Sequence, residues 1–134
     1  MLKLKTGILT EKGKSLEQVV GQYIDKLNGK ILFRGLGKKR PVFLSKYIEA
    51  TKNRTDPTRR LRCFPAALEM IKKVKEHDLI AKKRTHLGVS YEFQASTKDG
   101  TIVKVHIREE VVENNRRLFL ISTFGGRREI KNEG

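Results

Sequence analysis

The chain has 134 residues, 37% of them hydrophobic, and sets 30 Lys and Arg against 15 Asp and Glu for a net charge of +15. That length fits one domain with a modest core under a single sheet and leaves no room for a second. The positive charge exceeds what solubility needs and points to a polyanion, with nucleic acid ahead of an anionic membrane because the cations are not gathered on one amphipathic helix. No apolar run approaches a membrane span, and the first residues, MLKLKTGILTEKGK, alternate with charge where a signal peptide would be apolar, so a soluble, cytoplasmic chain is expected. The single cysteine, Cys63, excludes an internal disulfide and any zinc site built on paired cysteines, and reads as a buried, inert thiol. His77, His86 and His106 lack the spacing of metal ligands, so no metal and no cofactor is expected; His77 reads as a favourable charge near a helix end.

In chain order, Ser15 followed by Gln18 is a capping-box signature. Leu16, Val19, Val20, Tyr23, Ile24 and Leu27 then recur at helical spacing until Asn28-Gly29 stops the helix. Residues 30–34, KILFR, suit a short strand. GLGKK at 35–39 lacks the earlier glycine and the following Ser or Thr of a phosphate-binding loop, which leaves a flexible basic turn whose Lys38, Lys39 and Arg40 can meet phosphates. Residues 42–51 fit a strand or a helix equally. Residues 53–62, NRTDPTRRLR, read as a polar surface loop carrying Arg54, Arg59, Arg60 and Arg62, a second set of candidate phosphate contacts. Pro65 suits the first turn of a helix running to about Glu76, with Leu68, Ile71 and Val74 inward.

Residues 86–124 read as a three-stranded antiparallel meander. Leu87, Val89, Tyr91, Phe93 and Ala95 alternate with His86, Ser90, Glu92, Gln94 and Ser96. Lys98-Asp99-Gly100 makes a three-residue turn with Gly100 at positive φ, and pairing Thr97 with Thr101 fixes the register. The apolar face then sets Phe93 opposite Val105 and Tyr91 opposite Ile107; the polar face sets Gln94 opposite Lys104, Glu92 opposite His106, and Ser90 opposite Arg108. A second turn at Asn114-Asn115 puts His106 opposite Thr123 and Arg108 opposite Ile121. The closing GGRREIKNEG, residues 125–134, reads as a basic, flexible tail after a single domain at 1–124.

Directly opposed side chains lie about 4.5–5.5 Å apart at Cβ, so Glu92, His106 and Thr123 would act on one small group. With Lys104, Arg108 and His86 on the same face, the row suits metal-independent transesterification of RNA. A carboxylate or neutral imidazole takes the 2′-hydroxyl proton, a second group protonates the leaving 5′-oxygen, and cations with the Thr123 hydroxyl stabilise the phosphorane. The bland alternative is a favourable cross-strand pair on a solvated sheet face. The candidate catalytic set is therefore His106, Glu92, Arg108, Thr123, Lys104 and His86.

The ending TKDGTIVKVHIREEVVENNRRLFLISTF carries a Gly-bearing hairpin at Lys98–Thr101, an apolar strand at Ile102–Ile107, a short turn at Glu113–Arg116 and a last strand at Leu118–Phe124. It resembles the barnase, EndoU, colicin D and RelE group of small RNase toxins, in particular its phage and mobile-element branch. The resemblance covers the C-terminal hairpins and, more loosely, the basic turn before the Pro65 helix. It implies N-terminal helices packed on a C-terminal twisted antiparallel sheet, endoribonuclease activity, and a cognate immunity or antitoxin protein, in a toxin-delivered or phage-associated setting. The alternatives of another class are a non-catalytic RNA- or DNA-binding protein and a phage or mobile-element structural protein.

Overall fold

The computed structural model describes residues 1–10 and 15–126. Strands lie at both ends of the chain and helices between them: β1 (Leu2–Lys3), α1 (Leu16–Lys26), β2 (Lys30–Phe33), β3 (Arg40–Phe43), α2 (Tyr47–Lys52), α3 (Pro57–Arg62), α4 (Phe64–Lys73), β4 (Leu79–Thr85), β5 (Gly88–Ser96), β6 (Ile102–Val112) and β7 (Asn115–Gly126). One seven-stranded sheet, ordered β1-β5-β6-β7-β3-β2 with β4 also on β5, curls into a half-barrel. The β1–β5 and β3–β7 pairs are parallel and the rest antiparallel.

This corrects the expected architecture of N-terminal helices on a three-stranded antiparallel meander. The fold is α+β, but the sheet is mixed and the helices are central in the chain; β2 matches the short strand expected at 30–34, whereas β1, β3 and β4 were not legible as strands or only as one of two alternatives. β1 is two residues long and β2 and β3 are four each, too short to show a period. In β4, LIAKKRT, no residue is buried, so its position comes from pairing with β5 and not from an apolar face.

The helices obey their local chemistry. Ser15 takes the N-cap of α1 without a side-chain hydrogen bond, and the helix closes where Asn28 and Gly29 adopt positive φ (57° and 75°). Residues 42–51 resolve the strand-or-helix ambiguity by being both, with β3 ending at Phe43 and α2 starting at Tyr47. The expected loop at 53–62 is corrected: Pro57–Arg62 is a helix, started by Pro57 after Asp56 at positive φ and anchored by buried Leu61. A single apolar anchor in that stretch gives no helical periodicity to read. Pro65 lies in the first turn of α4, which buries Phe64, Leu68, Met70 and Ile71 against the sheet. His77 sits beyond α4 in a 3-10 turn at Glu76–Asp78, highly exposed, with Nε2 3.6 Å from Asp78.

The core lies between α4 with its neighbours and the apolar face of β5, β6 and β7, where Phe93, Val105, Ile107, Leu118 and Leu120 are fully buried. Phe33 meets Phe93 edge-on at 5.4 Å and Tyr47 meets Phe64 at 4.9 Å between ring centroids. Cys63, at the α3–α4 junction, is buried against Gly125; a Cβ there would stand 2.5 Å from Sγ, so only glycine fits. Burial pushes the Cys63 thiol up to about 11, which makes it a poor nucleophile. The N-terminal segment is tied to α4 by the Glu69 carboxylate, which accepts from the Lys5 and Thr6 amides at 2.9 and 2.7 Å. Gly125 and Gly126, expected in the tail, complete β7; residues 127–134 lie outside the described residues. Among the described residues, no helix is long and apolar enough to cross a membrane.

Candidate active-site groove

The β5–β6 hairpin has the expected register. Gly100 turns with φ 88°, the Thr97 amide donates to Thr101 O at 2.9 Å, and Gln94, Glu92 and Ser90 stand opposite Lys104, His106 and Arg108. β5 itself begins at Gly88, because His86 and Leu87 form the tight turn from β4; Leu87 is exposed and not on the apolar face. That places His86 at the end of the groove. About four residues of strand, roughly 13 Å, separate the turn from Glu92, so His86 is not beside it.

The β6–β7 hairpin departs from expectation. Its turn is Glu113-Asn114, both at positive φ (51° and 66°), with Val112 opposite Asn115. A bulge between His106 and Ile107 then inserts Ile121, which leaves His106 opposite Ser122 and Arg108 opposite Phe119. Thr123 is thereby paired with Val105 on the apolar side and is 1% exposed. Its hydroxyl donates to Arg60 O at 2.7 Å and shares a 2.6 Å hydrogen bond with the Tyr47 hydroxyl. Thr123 therefore does not stand opposite His106: it ties β7 to the helices and still lines one depression with His106, while Ser122 takes the register position expected for it.

Two depressions meet on the polar face. One, of about 360 Å³, is lined by Arg54, Arg60, Glu92, Lys104, His106, Ser122 and Phe124, among others. The other, of about 450 Å³, is lined by Lys83, His86, Leu87, Ser90, Glu92, His106 and Arg108, among others. Glu92 and His106 belong to both, so they form the waist of one groove across the β4–β7 face. Its second wall comes from the α2–α3 connection and α3. There Arg60 is held by its Nε, which donates to Thr55 O at 2.7 Å, and by Nη1, which donates to Thr123 O at 3.2 Å.

The expected phosphate contacts divide. Arg54 and Arg60 line the groove, and Arg59 stands over the Phe124 ring at 5.5 Å. Arg62 turns away and donates to Leu9 O at 2.8 Å. Arg40 is structural, 2.7 Å from Glu109. Lys38 and Lys39 are exposed in the β2–β3 turn, and Lys39 borders a separate depression with Lys30, Arg34 and Lys72.

Electrostatics sharpen the waist. His106 is held below the ordinary imidazole value of 6.5, first by burial and then by Arg54 and Arg108, with Glu92 pulling weakly the other way. A neutral imidazole beside a carboxylate is suited to accept a proton near neutral pH. Burial, then Arg60 and Arg108, lower Arg54. Arg108 is aimed by Glu110, whose carboxylate takes Arg108 Nε at 2.7 Å and Lys46 Nζ at 2.5 Å. Burial raises Glu110, but these two donors outweigh it and leave it below the carboxylate range.

Sequence reasoning missed Ser122, Phe124 and Glu110. Glu110 lies two residues after Arg108 on the same strand face, a signal open to reading; Ser122 depends on the bulge, which leaves none. Among the described residues, no three His, Cys, Asp or Glu side chains gather as a metal site would. The chain matches no known protein family, no curated protein and no solved structure.

Proposed function

We propose that the groove binds RNA and cleaves it by metal-independent transesterification, in the cytoplasm, with Glu92 and His106 at the reacting centre. The observation that carries this reading is the cross-strand Glu92–His106 pair, with a depressed His106 pKa, between Arg54, Arg60, Lys104 and Arg108. Neutral His106 accepts the proton of the ribose 2′-hydroxyl. The freed oxygen attacks the adjacent phosphorus, the bond from phosphorus to the 5′-oxygen breaks, and a second group, on the opposite side of the phosphorus, protonates that oxygen. Glu92 stabilises the imidazolium while it lasts. The surrounding cations stabilise charge on the phosphorane oxygens, a contribution that grows toward the transition state. The resemblance to RNase toxins adds a cognate immunity or antitoxin protein, which would cover this basic face.

The experiment compares an RNA oligonucleotide with its fully 2′-deoxy counterpart in excess EDTA. Cleavage confined to the RNA, leaving a 2′,3′-cyclic phosphate, is the expected result. Cleavage of both, or cleavage abolished by EDTA, would overturn the mechanism. The second reading, a nucleic-acid-binding protein without cleavage, is favoured by the +15 net charge alone; tight, salt-sensitive binding with intact RNA would establish it.

A further inference from the structure

Phe124 has no part in the chemistry above, yet it is the aromatic side chain at the Arg54–Lys104 end of the groove. It stands opposite Lys104 on β7, is 38% exposed, and has the Arg59 and Arg60 guanidinium groups 5.5 and 5.4 Å from its ring centroid. Gly126, two residues on, leaves its ring uncrowded; a Cβ there would lie 3.3 Å from Phe124 Cε1. An exposed phenylalanine alone is ordinary. One flanked by two guanidinium groups, at the end of a cationic groove whose waist holds an acid–base pair, has the parts of a base-stacking platform: a π-face for the base, planar cations that also stack, and positive charge for the flanking phosphates.

We infer that Phe124 stacks an unpaired nucleobase next to the scissile phosphate, which makes single-stranded RNA the substrate class. The inference rests on the groove being an RNA site. Bases inside a duplex are stacked on one another and offer no free face to Phe124, whereas a single strand laid along β6 and β7 can turn one base onto the ring. Stacking of this kind is tolerant of base identity, so the platform selects for single-strandedness more than for sequence.

The test uses 2′-O-methyl RNA, which cannot be cleaved, so that stacking is read separately from catalysis. Phe124→Leu should weaken binding of the single strand by about 5- to 100-fold, Phe124→Tyr should retain it, and inorganic polyphosphate should bind wild type and Phe124→Leu alike. Because the chain contains no tryptophan, Phe124→Trp adds a sole indole reporter; the single strand should quench it and polyphosphate should not. Single-strand affinity unchanged in Phe124→Leu, or an equal loss for polyphosphate, would overturn the platform. So would quenching by the duplex form of the same oligonucleotide equal to that by the single strand. If RNA is never cleaved but the quenching is seen, the platform stands and only the catalytic reading falls.

Discussion

The two ends of β6 treat positive charge differently. Toward its C-terminal end Glu109 meets Arg40 at 2.7 Å and Arg116 at 3.6 Å, while Glu110 meets Lys46 at 2.5 Å and Arg108 at 2.7 Å. Toward the middle, Lys104 and His106 face Arg54 and Arg60, and no described carboxylate lies within ion-pairing distance of Arg54, Arg60 or Lys104. The same residue types thus serve two ends. Cations matched by half-buried carboxylates hold strands and helices in place, and the unmatched ones leave a positive field that an external phosphate can neutralise. Arg108 stands at the border, fixed by Glu110 and still lining the groove.

The largest break in this comparison is His106→Ala. Loss of the acid–base group should lower the RNA cleavage rate by about 10²–10⁴ while leaving affinity for uncleavable RNA nearly unchanged. Cleavage that survives this substitution would place the chemistry elsewhere and reduce the waist to a cross-strand pair.

Next in size is the contrast in salt dependence. Neutralising Arg54, Arg60 and Lys104 to Gln should lower the log–log salt slope of RNA binding by about 0.7 for each phosphate that the groove then leaves unneutralised. Arg40→Gln and Arg116→Gln should leave that slope in place, and Arg40→Gln should lower the denaturation midpoint because it leaves the half-buried Glu109 carboxylate short of a partner. Equal effects of the two groups on the slope would erase the distinction between the ends of β6.

A finer measurement is the pH profile of cleavage. Since burial, Arg54 and Arg108 hold His106 below 6.5, its base form persists as pH falls through 6.5, and the rate should drop only as pH passes through the lowered value. Glu92 raises the His106 pKa, so Glu92→Gln should move the inflection further down, and Arg54→Gln should move it up. Movement in the opposite sense in either variant would show that other groups set the limb.

The smallest effect is expected at Thr123. Thr123→Val removes two hydrogen bonds, yet the Tyr47 hydroxyl keeps a 3.1 Å bond to Arg60 O, so stability should fall by about 1 kcal/mol with the cleavage rate retained. A loss of rate as large as that of His106→Ala would return Thr123 to the reacting centre.

The first hairpin was legible because strict alternation and the Asp99-Gly100 turn agree on one register, and Glu92 opposite His106 follows directly. The second was not. Two adjacent Asn residues both tolerate positive φ, and the turn forms at Glu113-Asn114, one residue earlier than Asn114-Asn115. The run LFLIST is apolar on both faces, so nothing in it marks Ile121 as the extra residue of a bulge. The groove's second wall was hidden for a related reason: α3 holds one buried residue among arginines, and its place beside β7 is set by tertiary hydrogen bonds from Arg60 and Tyr47. The arginine cluster was recognised by composition, but only the folded backbone could sort Arg54 and Arg60 from Arg62.

Cys63 gives that wall a clock. It is the only cysteine in the chain, and its sulfur is shut against Gly125 between the helix that carries Arg60 and the strand that carries Phe124. Cys63 is fully buried, so a thiol reagent reaches it when its packing opens, and the lifting of α3 and α4 from the end of β7 is one such opening. Alkylation by that route times the opening of the groove wall, and a bound nucleic acid that clamps Arg60 to β7 would slow it in proportion to its hold.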